Sequence, residues 1–333
     1  MPKRKSIIVF LIAVTAFAVT VAYVNSSPPY EREVRDWYDL QAVRYYLDED
    51  FILMNDLDST TAGYTRLASP TANRGKGWEP LGTALEPFAG NFDGQGYEIR
   101  DLFIDRHDKD KLDWNIGLFG RVHTRGTIEN VGVVNVNIIG WWCVGGLVGN
   151  NWGTVSNSYS TGNVTGLLYA GGLVGCQSYG TVSNSYSTSN VTAINYVGGL
   201  VGYNREGTVS DSYSTGNING DMHVGGLVGT NSGIVSNSYS TSNVTGTSHS
   251  GGLVGLLRVG TVENSFWDTE TSGMEVSYGG IGKNTTEMQD IATFSGAGWN
   301  ITAVANPSTR NPSHIWNIVD DETYPFLSWQ SVS

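Results

Sequence analysis

Acid–base, metal or thiol chemistry in this chain would have to come from a small, scattered set of side chains. Asp93, Asp101 and Asp105 precede the repetitive middle of the sequence, and Asp105, Asp108, Asp110 and Asp113 share one stretch with Arg106, Lys109 and Lys111. Interleaved charges of that kind read as a solvated loop; a calcium site needs oxygens converging on one point. The five histidines, His107, His123, His223, His249 and His314, lack metal-ligand spacing. Cys143 and Cys176 fall at different points of the repeat described below, so they are expected to remain free thiols. A polysaccharide lyase or hydrolase would need carboxylates gathered on one face. Between Gly140 and Val259 the charged residues are only Arg205, Glu206, Asp211, Asp221 and Arg258. No catalytic residue, metal ligand or cofactor is therefore expected.

The side chains left to contact a ligand are aromatic, hydroxyl and amide. Trp152, Tyr179 and Tyr203 lie in the most variable part of each repeat and are the candidate ligand-binding residues, expected to form one aromatic edge on which sugar rings could stack. Tyr159, Tyr186, Tyr213 and Tyr239, continued by Phe266, make a second column. Parity with Val155 turns it toward the core, unless the Asn turn between them reverses the count. Thr154 and Ser156, Thr181 and Ser183, and Thr208 and Ser210 would form a grid of hydroxyls, interrupted at Ile234 and Glu263.

These residues are positioned by a repeat. GGLVG begins at Gly145, Gly171, Gly198, Gly225 and Gly251, in steps of 26, 27, 27 and 26 residues. A fixed period of that size marks a solenoid, whose units bury their apolar faces only by stacking. A second signature, G-[TI]-V-x-[ND], begins at Gly153, Gly180, Gly207, Gly233 and Gly260, and from each of the first four to the next GGLVG is always 18 residues. All length variation thus falls in NNW, CQSY, YNRE, TNS and LLRV, which are expected to be surface loops. Ile116–Gly120 (IGLFG) and Gly126–Asn130 (GTIEN) add an earlier coil. Val155, Val182, Val209, Val235 and Val262 form one apolar column; Leu147, Leu173, Leu200, Leu227 and Leu253 a second; Val164, Val191, Ile218 and Val244 a third. Their alternation with polar residues is that of strands. The spacing predicts an all-β parallel β-helix of about six coils with three sheets. Asn130, Asn157, Asn184, Asp211, Asn237 and Asn264 are expected to form a turn ladder, since Asn tolerates left-handed dihedrals.

The flanks complete the plan. Lys3, Arg4 and Lys5 precede an apolar run from Ile7 to Val24, which reads as an N-terminal membrane anchor with the solenoid outside the cell. Residues 1–29 are therefore assigned to anchor or signal peptide and linker, 30–115 to an N-terminal cap and the first coils, 116–265 to the solenoid, and 266–333 to a C-terminal capping tail. Trp37, Leu40, Val43 and Leu47 predict a capping helix, and Thr286–Ile291 a short helix in the tail. Asn163, Asn190, Asn243 and Asn284 each start an N-glycosylation acceptor motif. With 31 acidic and 19 basic residues the net charge is −12, which argues against nucleic-acid binding.

The GGLVG repeats, the SYSTGNV and SYSTSNV segments, FDGQGYEI at 92–99, FWDTETSG, GKNTTEMQ and the closing YPFLSW resemble the GLUG-motif repeat proteins of prokaryotic cell surfaces, over about residues 37–329. FDGQGYEI also resembles a motif at the start of pectin-lyase-like right-handed parallel β-helices, which implies a right-handed parallel β-helix here. The family is similar in places to N-terminal regions of surface immunoglobulin-A metallopeptidases, but this chain has no HExxH motif. The expected function is a non-enzymatic, exported surface or adhesion module with a neutral glycan or surface polymer as partner. The alternatives are a carbohydrate-active β-helix enzyme and an ice-binding surface.

Overall fold

A computed structural model describes residues 32–107 and 114–330. The apolar run 7–24 and the charged positions 108–113 lie outside the described residues. The chain winds into a β-helix of four long parallel sheets. The first sheet has nine strands, from Arg32–Val34 through Thr154–Ser156, Thr181–Ser183 and Thr208–Ser210 to Thr261–Glu263. The second carries the tyrosine column and the Val164 column. The third ends at the first glycine of each GGLVG, as in Cys143–Gly145 and Leu168–Gly171, and the fourth starts at its valine, as in Val148–Asn151 and Val174–Gln177.

Four sheets replace the expected three because the glycine pair bends each coil sharply, and the strands on either side of the bend pack face to face. A β-carbon on Gly171 would come within 2.0 Å of Val174 O and 2.6 Å of Gly202 N in the next coil. One on Gly175 would sit 2.4 Å from Val144 N in the preceding coil. The two sheets touch backbone to backbone, so the sequence must supply glycine there.

Stacking is in register throughout. Val155, Val182, Val209, Val235 and Val262 pair in sequence across the first sheet. The five GGLVG leucines form one fully buried column. The backbone N–H of Leu147, Leu173, Leu200 and Leu227 each donates to the carbonyl of the next leucine at 2.9–3.0 Å. Burying each such side chain contributes about 1.5–3 kcal/mol.

The interior also carries polar ladders, which corrects the reading of the variable stretches as surface loops. Asn151, Gln177, Asn204 and Asn231, within those stretches, are fully buried. Asn151 Nδ2 donates to Gln177 Oε1 at 2.9 Å, and Asn204 Nδ2 to Asn231 Oδ1 at 2.7 Å. Only the residues just after them vary freely in number. Ser158, Ser185, Ser212, Ser238 and Ser265 form another buried column, each hydroxyl donating to the carbonyl two residues back at 2.7 Å.

The Asn column adopts the expected left-handed turn, with φ between 46° and 55° from Asn130 to Asn264. At the N-terminal end the capping helix spans Trp37–Ala42, with Asp36 accepting from the N–H groups of Tyr38 and Asp39, and continues as a 3-10 turn over Val43–Tyr45. Trp37, Leu40 and Val43 are its buried stripe. The expected tail helix is two short ones, Thr285–Gln289 and Ile291–Ser295, because Asp290 ends the first and caps the second.

The tail does not simply close the axial end, as the sequence suggested. The last coils extend into it, with Ile281–Lys283 stacked on Phe266–Asp268. A small sheet, Ile301–Ala303, Trp316–Ile318 and Phe326–Leu327, then lies along the side of the solenoid. Trp299 Nε1 donates to Asn264 O at 2.7 Å and Trp329 Nε1 to Asn184 O at 3.0 Å, so the tail runs back over the exposed carbonyls of the Asn turns.

Removing one whole coil, Gly180 to Glu206, should leave a folded protein, because Asn157 and Tyr159 then present to Trp329 what Asn184 and Tyr186 present now. Loss of a cooperative thermal transition in the deletion variant would contradict this. By contrast, Gly198→Ala should lower stability by about 1–3 kcal/mol, since its methyl group has no room between the two sheets. An unchanged melting temperature would mean that the sheets can separate at no cost.

Candidate functional site

The three candidate aromatics do not form one row. Counted back from the glycine that opens each first-sheet strand, Trp152 and Tyr179 are equivalent, and their rings lie 5.3 Å apart. Tyr203 instead pairs in register with Cys176, in the fourth sheet. Its ring packs on Tyr169 and Tyr196, with centroids 5.7 and 6.2 Å away. The position equivalent to Tyr179 in that coil is Glu206: the two stretches are equal in length, and Tyr203 opens its own where Tyr179 closes the other.

Trp152 and Tyr179 share outward parity with the strands that follow them, so they border the hydroxyl face of the first sheet. There Thr154, Thr181 and Thr208 pair in one line and Ser156, Ser183 and Ser210 in another, all half-exposed. Arg121 lies 4.5 Å from the Trp152 ring and Arg205 5.9 Å from that of Tyr179. These cations each take part of one ring face. Tyr179 is still 49% exposed. The hydroxyl lines are broken by exposed Ile234 and by Glu263.

Tyr169, Tyr196, His223 and His249 share one register column, which passes through Cys143 in the preceding coil, and the flanking Trp114, Trp142 and Tyr278 extend it into an aromatic ridge beside the glycine bend. Trp114, Trp142, Tyr169, Tyr196, His223, His249 and Tyr278 follow one another at centroid distances of 4.6–5.9 Å. Tyr169, Tyr196, His223 and His249 all take left-handed φ, from 50° to 61°. That is costly for bulky side chains and is held in place by the stacking. Burial, then the neighbouring His249 and Arg258, hold the His223 imidazole below its usual pKa.

The same geometry overturns the expectation of free thiols: Cys143 and Cys176 form a disulfide, with Cα atoms 5.3 Å apart. Cys143 lies in the third sheet and Cys176 in the fourth sheet of the following coil, facing each other across the glycine bend. Tyr169 and Tyr203 meet across the same bend one coil later. Different coil positions face each other because the two sheets are back to back, and the GG pair was the signal for it.

The second tyrosine column faces away from the solenoid interior yet is largely covered. Tyr159, Tyr186, Tyr213 and Tyr239 stack at 4.8–5.0 Å with planes within 7°. The tail covers them and builds a second core of Tyr213, Tyr239, Phe266, Phe294, Trp299 and Trp316. Tyr239 donates its hydroxyl to Pro325 O at 2.6 Å, and Gln330 Nε2 donates to the Tyr213 hydroxyl at 2.6 Å. Burial pushes the Tyr186 phenol up to about 12 and also raises those of Tyr213 and Tyr239. They are stacking elements, closed to proton transfer.

The acidic groups serve turns and pairs. Buried Asp268 caps the helix Thr269–Ser272 and accepts the hydroxyls of Thr285 and Tyr324 at 2.8 and 2.6 Å. Asp211 replaces Asn in the turn ladder, with burial raising its carboxyl pKa. Among the described residues no group of three or more His, Cys, Asp and Glu side chains could hold a metal ion. None of the described helices is long and apolar enough to cross a membrane. Of the acceptor motifs, Asn163, Asn190 and Asn243 lie on the exposed side of the second sheet, where Asn190, Asn217 and Asn243 link into an amide ladder, and Asn284 is a helix N-cap.

Residues 142–165, 166–192, 194–219 and 220–245, each spanning one glycine bend and the strands around it, match the GLUG motif. These four segments are GLUG repeats. Over 164 residues, 47% of its length, the chain is 36% identical to Halomucin of Haloquadratum walsbyi, of which it spans 2%. Over 123 residues, 35% of its length, it is 36% identical to an Evansella cellulosilytica protein provisionally named a Gly-rich membrane protein, of which it spans 13%. Among solved structures, a Bacteroides ovatus protein proposed to be an immunoglobulin A1 protease superposes with a TM-score of 0.64, covering 92% of this chain and 94% of that one at 21% identity. At that identity the likeness shows the shared β-helix fold.

Because the disulfide ties two successive coils across a 33-residue separation, at the edge of the first matched GLUG repeat, Cys143→Ser should lower unfolding stability by about 2–4 kcal/mol. Chemical denaturation with and without reductant measures it. Identical midpoints for the oxidised and reduced wild type would argue against the bond.

Proposed function

We propose that this chain is an exported cell-surface module, without enzymatic activity, whose GLUG solenoid holds a neutral glycan or surface polymer along the first sheet. The observation that carries this reading is the in-register face of paired threonines and serines on three successive coils, bordered by Trp152 and Tyr179. Hydroxyls repeating at the interstrand spacing of about 4.8 Å offer many weak, identical hydrogen bonds to a repeating polymer. The near absence of charge between Gly140 and Val259 favours an uncharged partner and leaves little for acid–base catalysis. A mucin-like name for one relative and a membrane-protein name for the other support a place at the cell surface.

Binding is tested by retention of the full chain on immobilised neutral polysaccharides such as cellulose, chitin and starch. The wild type should be retained on at least one. Trp152→Ala with Tyr179→Ala should weaken retention about tenfold with little change in melting temperature, while Tyr203→Ala should leave it unaltered. Equal retention of the wild type and a folded double variant would sink this assignment of the contact edge, and release of reducing sugar by the wild type would favour an enzyme.

A further inference from the structure

The tyrosine ladder stops at a specific place. Tyr159 is its last ring because the next rung is Gly132, paired with it in register, and the rung beyond is Glu98. A β-carbon on Gly132 would come within 2.4 Å of the Tyr159 ring, so glycine is what lets the ring lie across that rung. The Tyr159 hydroxyl donates to the Glu98 carboxylate, which also pairs with Arg100. Burial and that carboxylate hold the phenol in its protonated, donating form. The Trp329 ring stands beside Tyr159, 6.2 Å away at 38°.

Around this end of the ladder lies a half-open cleft of about 360 Å³, lined by Tyr159 and Trp329 on one side and by Gln95, Asn130 and Asn157 among others. Its size is at the lower end of the usual range for small-molecule sites. Asn157 Nδ2 donates to Asn130 Oδ1 at 3.0 Å, and Asn130 Nδ2 to Asp93 Oδ1 at 3.0 Å, which fixes both amides. The Gln95 side chain is exposed. The lining thus combines two aromatic rings with amides, and its nearby carboxylate is already paired. Apolar ring faces beside amide donors and acceptors match the chemistry of a sugar, which presents an apolar C–H face and a rim of hydroxyls. A charged ligand would find no counter-ion among those lining residues.

We infer that this cleft is a saccharide subsite, taking one sugar unit of a neutral glycan against Tyr159 and Trp329 with its hydroxyls on Gln95, Asn130 and Asn157. The inference rests on the neutral-glycan reading above and extends it, because the Asn turn that lines the cleft is also the far border of the hydroxyl face. Isothermal titration of the full chain with cellobiose, maltose and N,N′-diacetylchitobiose tests it. At least one should bind, and Tyr159→Leu and Gln95→Ala should each weaken that binding by about fivefold to tenfold, while Trp152→Ala with Tyr179→Ala leaves it unchanged. Gln95→Ala alters only an exposed side chain, so it tests the site even if Tyr159→Leu loosens the tail. Failure of all three sugars to bind, or binding untouched by both cleft variants, overturns the subsite. If polysaccharide retention through Trp152 and Tyr179 persists in that case, the surface reading stands without it. Disaccharide binding in the cleft without polysaccharide retention supports the subsite and rejects the polymer face.

Discussion

Two sheets of this solenoid lie so close at the glycine bend that no β-carbon fits between them. That contact sets the shape of every coil. With Gly171 and Gly175 against opposing backbone, the chain reverses within two residues, the motif leucine is driven into the interior, and the flanking positions are brought face to face. The cysteine bridge, the Tyr169–Tyr203 pair and the aromatic ridge all follow from which residues happen to stand at those facing positions. A side chain at the first glycine would displace all of them together.

The second requirement is that polar groups inside a stack be satisfied by their equivalents in the next coil. A buried amide or hydroxyl without a partner costs about 1–3 kcal/mol. Repetition removes most of that cost, because each coil supplies the same group one rung away. The Asn151–Gln177 and Asn204–Asn231 bonds, and the serine column whose hydroxyls meet backbone on both sides, show this. The interior can therefore be rich in Ser and Asn.

This logic explains what could be read from the sequence. The Val and Leu columns, the Asn turns with positive φ and the capping helix at Trp37 were legible, because each depends on local spacing and each recurs. Contacts that cross between coil positions were not. Cys143 and Cys176 occupy different columns by counting, and only the back-to-back geometry brings them together. Tyr203 does not join Trp152 and Tyr179 because it stands at the start of its variable stretch, in register with Cys176, whereas they stand at the end of theirs. The tyrosine column, which parity with Val155 turned toward the core, faces outward because the left-handed Asn turn reverses the count, and it is buried by a tail distant in sequence.

The tail also changes how the stack can come apart. In a solenoid whose units touch only their neighbours, an end coil frays first and the next follows. Here one segment is fastened at Asn264 and again at Asn184, with Tyr239 and Tyr213 gripped between. A coil beneath this strap cannot leave alone, because its departure would tear contacts made to several rungs at once. The coils under the strap should therefore exchange their amide hydrogens as one block.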